Sequence, residues 1–156
     1  LLLSTLHTND AASSIARLVK LGIEPFLVAN TLVGICAQRL VRRLCHCHQL
    51  VAPSAQERAY MKRAQDEEPV GELAKAVGCE HCNHLGYRGR TGVHELMLLA
   101  GRLRQQISEE ATAEVLKRTA RDLGMRTLFE DCLEKVKAQT TTLEETFRVS
   151  QPDEQL

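Results

Sequence analysis

Six cysteines occur in this chain, and four of them fall into two close pairs. One is Cys79-Glu80-His81-Cys82, a C-x2-C spacing; the other is Cys45-His46-Cys47-His48. Two soft-ligand pairs joined by a loop are the layout of a structural zinc site, each pair closing a small chelate. The alternative, buried thiols or a disulfide, fits less well, because nothing else in the chain has secreted character. The first pair is irregular. Cys45 and Cys47 are separated by one residue, whereas Cys45 and His48 would restore the x2 spacing and give a Cys3His site. The set Cys45, Cys47, Cys79 and Cys82 is preferred, since zinc ribbons favour thiolate. With all four positions filled by protein, no place is left for a reacting water, so the ion would be structural. Cys36 and Cys132 read as apolar filler, the usual role of a free cysteine.

His7 is the second candidate. It ends the apolar run Leu1-Leu2-Leu3-Ser4-Thr5-Leu6, which predicts a strand entered part-way. Ligands of open α/β sheets sit at the carboxyl ends of strands, where an imidazole can donate to a phosphate oxygen. The bland reading is a polar residue at a strand end. Arg39, Arg42 and Arg43 form a basic cluster with two equal readings: a phosphate or acidic-lipid patch, or a solvated strand edge. Arg88 and Arg90 lie between glycines. They read as a tight turn that re-enters the sheet rather than as an anion nest.

The elements that must position these residues follow from local signals. Thr8-Asn9-Asp10 starts a helix carrying Ile15, Leu18 and Val19, with Gly22 as its stop. Glu24-Pro25 opens a second helix reaching about Leu32. Residues 35–44 are ambiguous between strand and helix, with strand preferred. A charged, exposed helix is expected from Ser54 to Asp66. Residues 86–92 read as turn-rich, and Val93 to Leu99 as a buried returning strand. The last third reads as helical. Ser108 caps a helix that ends at Gly124, and Leu128, Cys132, Leu133 and Val136 form the stripe of the next. Thr142 and Glu145 form a capping box, with Leu143, Phe147 and Val149 on the buried side. The tail from Gln151 is polar.

Composition narrows the classes. The 156 residues suit one domain with a real core, or one domain carrying a small appendage, and 44% hydrophobic with 26% charged residues excludes wholesale disorder. Lys+Arg and Asp+Glu are both 20, which opposes a dedicated nucleic-acid binder. Aromatics at 3% are too few for a base-stacking platform. The longest charge-free run, Pro25 to Gln38, is too short to span a bilayer.

Five strings, in order, carry a resemblance. They are Thr5-Leu6-His7-Thr8-Asn9-Asp10, then Ala37-Gln38-Arg39-Leu40-Val41-Arg42-Arg43-Leu44-Cys45, then Gly78-Cys79-Glu80-His81-Cys82-Asn83-His84-Leu85-Gly86-Tyr87-Arg88-Gly89-Arg90-Thr91-Gly92-Val93-His94-Glu95-Leu96. Gly124-Met125-Arg126-Thr127-Leu128 and Thr142-Leu143-Glu144-Glu145 complete the set. The sequence closely resembles the secretion ATPase superfamily, most of all type II secretion ATPases, with type IV pilus assembly ATPases as close relatives. The resemblance implies an α/β fold, the C-terminal part of a RecA-like P-loop ATPase domain with a small zinc-binding insertion and a helical C-terminal region. Its implied divisions are 1–44 (ATPase core), 45–85 (tetracysteine insertion), 86–150 (returning strand and helices) and 151–156 (tail).

The resemblance further implies a hexameric motor on the cytoplasmic face of the inner membrane, partnered by membrane platform proteins, possible acidic phospholipid and no nucleic acid. Hydrolysis of ATP with Mg²⁺ would drive pseudopilus assembly and protein export. His7 matches the family's His box beside the nucleotide phosphates, and Arg17 matches its nucleotide-facing arginine. The zinc ligands map onto Cys45, Cys47, Cys79 and Cys82, although the family's first pair reads C-P-x-C and this sequence lacks that Pro. No G-x4-G-K-[ST] phosphate loop occurs in the sequence, and the family's acidic boxes have no match in it. The expectation is therefore a piece of a longer chain that does not hydrolyse ATP alone. A zinc-stabilised protein- or nucleic-acid-binding module is the competing reading.

Overall fold

A computed structural model describes the backbone of residues 1–65 and 71–150, and the side chains of 1–61 and 71–150. Helices α1 (Ala11–Lys20) and α2 (Pro25–Thr31) come first, then strand β1 (Gly34–Leu44). Short strands β2 (Gln49–Val51) and β3 (Leu73–Lys75) flank helix α3 (Ala55–Gln65). A single 3-10 turn, Glu80–Cys82, leads to strand β4 (Tyr87–Leu98). Helices α4 (Gly101–Ser108), α5 (Ala113–Asp122), α6 (Leu128–Lys137) and α7 (Leu143–Val149) complete the order. β1 pairs with β4, and β2 pairs antiparallel with β3 in the register Leu50↔Ala74. The mixed α/β class is as expected. Among the described residues, no helix is long and apolar enough to cross a membrane.

The chain forms two compact units, residues 1–38 with 94–127, and residues 39–93 with 128–156. In the first, α1 begins where the Asp10 carboxylate accepts the Ser13 amide at 2.7 Å, a standard N-cap bond. Ala11, Ala12 and Ile15 then fall on one face and are buried with Val28, Ala29, Met97, Leu103, Ile107 and Leu116. α1 packs on α5 and α2 on α4. Arg104 of α4 donates to the carbonyls of Ala29 and Leu32, which covers orphan acceptors at the end of α2.

In the second unit, Met61, Leu73, Phe129, Leu133, Val136 and Leu143 form the core. Tyr60 meets Phe147 edge-on, with ring centroids 4.6 Å apart at 83°. An edge-to-face pair of this kind adds about 0.5–1.5 kcal/mol beyond area burial. α3 is thus not the wholly exposed helix expected, because Met61 is buried and Tyr60 packs on Phe129 and Phe147. Its start carries the full reciprocal capping box. The Glu57 amide donates to Ser54 Oγ at 3.2 Å, and the Ser54 amide donates to Glu57 Oε2 at 2.9 Å.

Several expectations need correction. Residues 1–8 are not a strand; neither two-stranded sheet offers them a ladder, and Leu1, Leu2 and Leu3 are exposed. Residues 87–92 belong to β4 despite their glycines, because β1 supplies the partner. Ser108 closes α4 instead of opening a helix, and Thr112 caps α5 by accepting the Val115 amide. On α7, Leu143 is buried, but Phe147 is exposed and the buried places go to Glu145 and Thr146. The expected end of α3 at Asp66 and the tail from Gln151 lie outside the described residues.

Candidate metal centre

Cys45 and Cys47 follow the end of β1, while Cys79 and Cys82 bracket the 3-10 turn before β4. Both segments lie in the second unit. One backbone bond brings them together, the Cys45 amide donating to the Gly86 carbonyl at 3.0 Å; within the second segment the His84 amide donates to the Cys79 carbonyl at 2.8 Å. Gly86 has φ +75°, and a Cβ there would stand 2.6 Å from Ala76 Cβ. Only glycine fits this crossing without displacing β3's neighbour.

All four sulfurs lie within 4.8 Å of one another. The Cys45–Cys79, Cys47–Cys82 and Cys79–Cys82 Sγ separations are each 3.9 Å. A tetrahedron with zinc–sulfur bonds of about 2.3 Å has edges of about 3.8 Å. The donor set therefore has the size and chemistry of a tetrathiolate site, and none of the four cysteines forms a disulfide. Two amides, from Cys79 and Gly86, donate to Cys82 Sγ at 3.2 Å each. Burial pushes the Cys82 thiol up, but these amides and the Cys79 and Cys47 thiols outweigh it and bring it down to about 6. Cys47 moves the opposite way, pushed up to about 12 by burial and by hydrogen bonds with Cys79, Cys45 and Cys82.

His48 stands outside the four-sulfur group, with its Nδ1 2.9 Å from the Cys45 carbonyl, which accepts. His46 and His81 have ring centroids 5.1 Å apart, and Arg88 donates to the His81 ring. Arg88 is thus a strand residue with a histidine contact, not part of a turn. Cys132 is buried as expected, which pushes its thiol up to about 11. Cys36 is exposed and is no core filler.

His7 and Arg17 belong to the first unit; both are exposed, His7 in the irregular segment before α1 and Arg17 on α1. The sequence reading missed Glu95. It is buried, and its Oε1 accepts the Ala11 amide at 2.9 Å, so β4 fixes the start of α1. It read Glu145 only as the acid of a capping box with Thr142 and missed its distant partner. Instead of reaching back to its own cap, this buried carboxylate binds Arg42 and, through Oε1 and Oε2, Arg148 at 2.8 Å each. Arg42 accordingly leaves the basic cluster and stacks on Tyr87, 4.1 Å from the ring centroid. Neither partner carried a local signal.

A mixed α/β chain with a four-thiol cluster between two strand ends now has a family. The family model described as type II/IV secretion system protein matches residues 1–148. The chain belongs to this family. It is 43% identical over 151 residues to the type II secretion system protein HxcR of Pseudomonas aeruginosa, covering 96% of this chain and 28% of the relative. It is 43% identical over 150 residues to the type IV pilus assembly ATPase TfpB of Acinetobacter baylyi, covering 96% and 26%. It is 41% identical over 151 residues to the type II secretion system ATPase E of Vibrio cholerae, covering 96% and 29%. The chain thus spans less than a third of the length of these relatives.

Proposed function

We propose that this chain is the C-terminal part of the RecA-like domain of a secretion ATPase, with residues 45–85 as a zinc-binding insertion. The observation that carries the reading is identity above 40% to proteins named as secretion or pilus ATPases, over nearly all of this chain. The whole protein would be a hexameric motor that uses ATP and Mg²⁺ to power pseudopilus assembly for type II secretion. It would work at the cytoplasmic face of the inner membrane, against platform proteins and acidic lipid. A type IV pilus assembly parent is the second reading, favoured by the equal identity to TfpB.

Within this chain, Cys45, Cys47, Cys79 and Cys82 would hold Zn²⁺ through four sulfurs. The ion supplies a fold constraint and no open coordination position. Burial of Cys45 and Cys82, with the amides on Cys82, supports that role. His7 and Arg17 would face nucleotide once the phosphate-binding half is present, His7 as a donor to phosphate oxygen and Arg17 as a cation. The test is a parent protein that carries a phosphate loop upstream of this sequence. It should show Mg²⁺-dependent ATPase activity that falls at least tenfold in His7→Ala and in Arg17→Ala. A parent that never hydrolyses ATP, even with its partners and anionic lipid, would sink the motor reading.

A further inference from the structure

The two cysteine arms meet more than each other. On the first arm, Arg42 stands three residues before Cys45, and Leu44 one before. Glu145 Oε2 accepts the Arg42 amide at 2.9 Å, and Oε1 lies 2.7 Å from its guanidinium. Thr141 Oγ1 donates to the Arg42 carbonyl at 2.8 Å, and the Leu44 amide donates to the Thr140 carbonyl at 2.8 Å. On the second arm, Tyr87 follows Cys82 by five residues, and its hydroxyl is 2.8 Å from Thr142 Oγ1. Every one of these bonds ends on the short stretch Thr140–Thr142 or on Glu145.

We infer that this stretch, with Glu145, is a positioning frame for the metal centre: it fixes the separation of the two cysteine pairs before any ion binds. The inference rests on the reading of the four thiols as a metal site. Capping α7 requires only the Thr142 hydroxyl. Yet Thr141, Thr142, Glu145 and Thr146 are all buried, and a buried carboxylate is costly to desolvate unless every lone pair is used. Here the lone pairs are used on the backbone and side chain of the arm that delivers Cys45. The β1–β4 pairing and the Cys45–Gly86 bond tie the arms to each other; the frame holds both against a third segment, and loosening it would leave more ordering to be done on metal binding. The carboxylate of Glu145 bonds Arg42 and Arg148; it acts on the cysteines through Arg42 and the strand end.

Three measurements on the full chain test this. Zinc affinity is read by competition with a chromophoric chelator, and ligand geometry by the cobalt absorption spectrum. Glu145→Gln should bind zinc about tenfold more weakly, the lower end of the effect of outer partners of metal ligands. Its cobalt spectrum should remain that of a tetrahedral tetrathiolate. Tyr87→Phe, which keeps the ring and loses one bond to Thr142, should weaken zinc less, and Thr142→Ser, which keeps the hydroxyl, should retain wild-type affinity. By reciprocity, zinc should stabilise Glu145→Gln about tenfold less, as an equilibrium constant, than it stabilises the wild type. Tyr87→Phe carries the test if Glu145→Gln does not fold. Wild-type zinc affinity in these variants, with the same stability loss with and without zinc, would overturn the frame while leaving the metal site standing. A wild-type chain that takes up neither zinc nor cobalt would overturn both.

Discussion

Glu145 reaches Arg42 across 103 positions of sequence and holds it at two places, the backbone amide at 2.9 Å and the guanidinium at 2.7 Å. Burial alone would raise the Glu145 carboxyl. The hydrogen bonds from Arg148 and Arg42 overcome that and hold it at about 2, below its ordinary 4.5. A carboxyl depressed in the folded state contributes stability that is complete above the unfolded value and is lost as pH falls toward the folded one. The window is therefore about pH 4.5 down to 2, and Glu57, also near 2 through Lys75 and the Ser54 amide, titrates in the same window.

Glu145→Gln should cost about 2–3 kcal/mol at neutral pH. Removing one partner of a fully buried pair costs more, about 3–5 kcal/mol; here both arginine side chains are about half exposed, which screens them. Thermal melts from pH 6 to 3 should show a shallower decline in this variant than in wild type. Parallel profiles would show that the carboxylate's charge does not matter.

Glu95→Ala should leave the Ala11 amide without its buried acceptor, at a cost of about 1–3 kcal/mol. Glu95→Gln keeps an oxygen there and should cost less. Urea denaturation gives the ordering, and hydrogen exchange at the start of α1 should be faster in the alanine variant. Equal stability of the two variants would contradict the assignment.

Gly86 and Gly89 share a φ of +75°, but a Cβ would strike Ala76 only at Gly86. Both alanine variants should pay a left-handed backbone cost of about 1–2 kcal/mol. Gly86→Ala should lose more, and should also weaken zinc, since Gly86 donates to Cys82 Sγ and accepts from Cys45. Gly89→Ala should leave zinc affinity unchanged.

Zinc content by mass spectrometry should be one per chain, lost in Cys79→Ser and retained in His48→Ala, because His48 stands outside the four-sulfur group. Chelation should lower the melting temperature by several degrees. Unchanged melting without zinc would rule out a structural ion.

Much of this was legible locally. Asp10 and the Ala11–Ile15 spacing announce α1, Pro25 announces α2, and Leu128, Cys132, Leu133 and Val136 mark the buried stripe of α6. The paired cysteines announced their own cluster, even with the short Cys45-x-Cys47 spacing. What failed was set by distant partners. Leu1–Leu6 has the composition of a strand, yet among the described residues it pairs with neither sheet. Tyr87–Gly92 has the composition of a turn, and β1 beside it. The Glu95–Ala11 and Glu145–Arg42 bonds span 84 and 103 positions, and no local pattern marks either.

The four-sulfur cluster has a consequence for the molecule's charge. Lys and Arg balance Asp and Glu at 20 each, so the chain is formally neutral with its cysteines protonated. Four thiolates around one divalent cation carry a net charge of about −2, and their protons leave as the ion enters. Loaded and metal-free chains would therefore differ in electrophoretic mobility near neutral pH, and acidification, by protonating the thiolates, would drive the ion out.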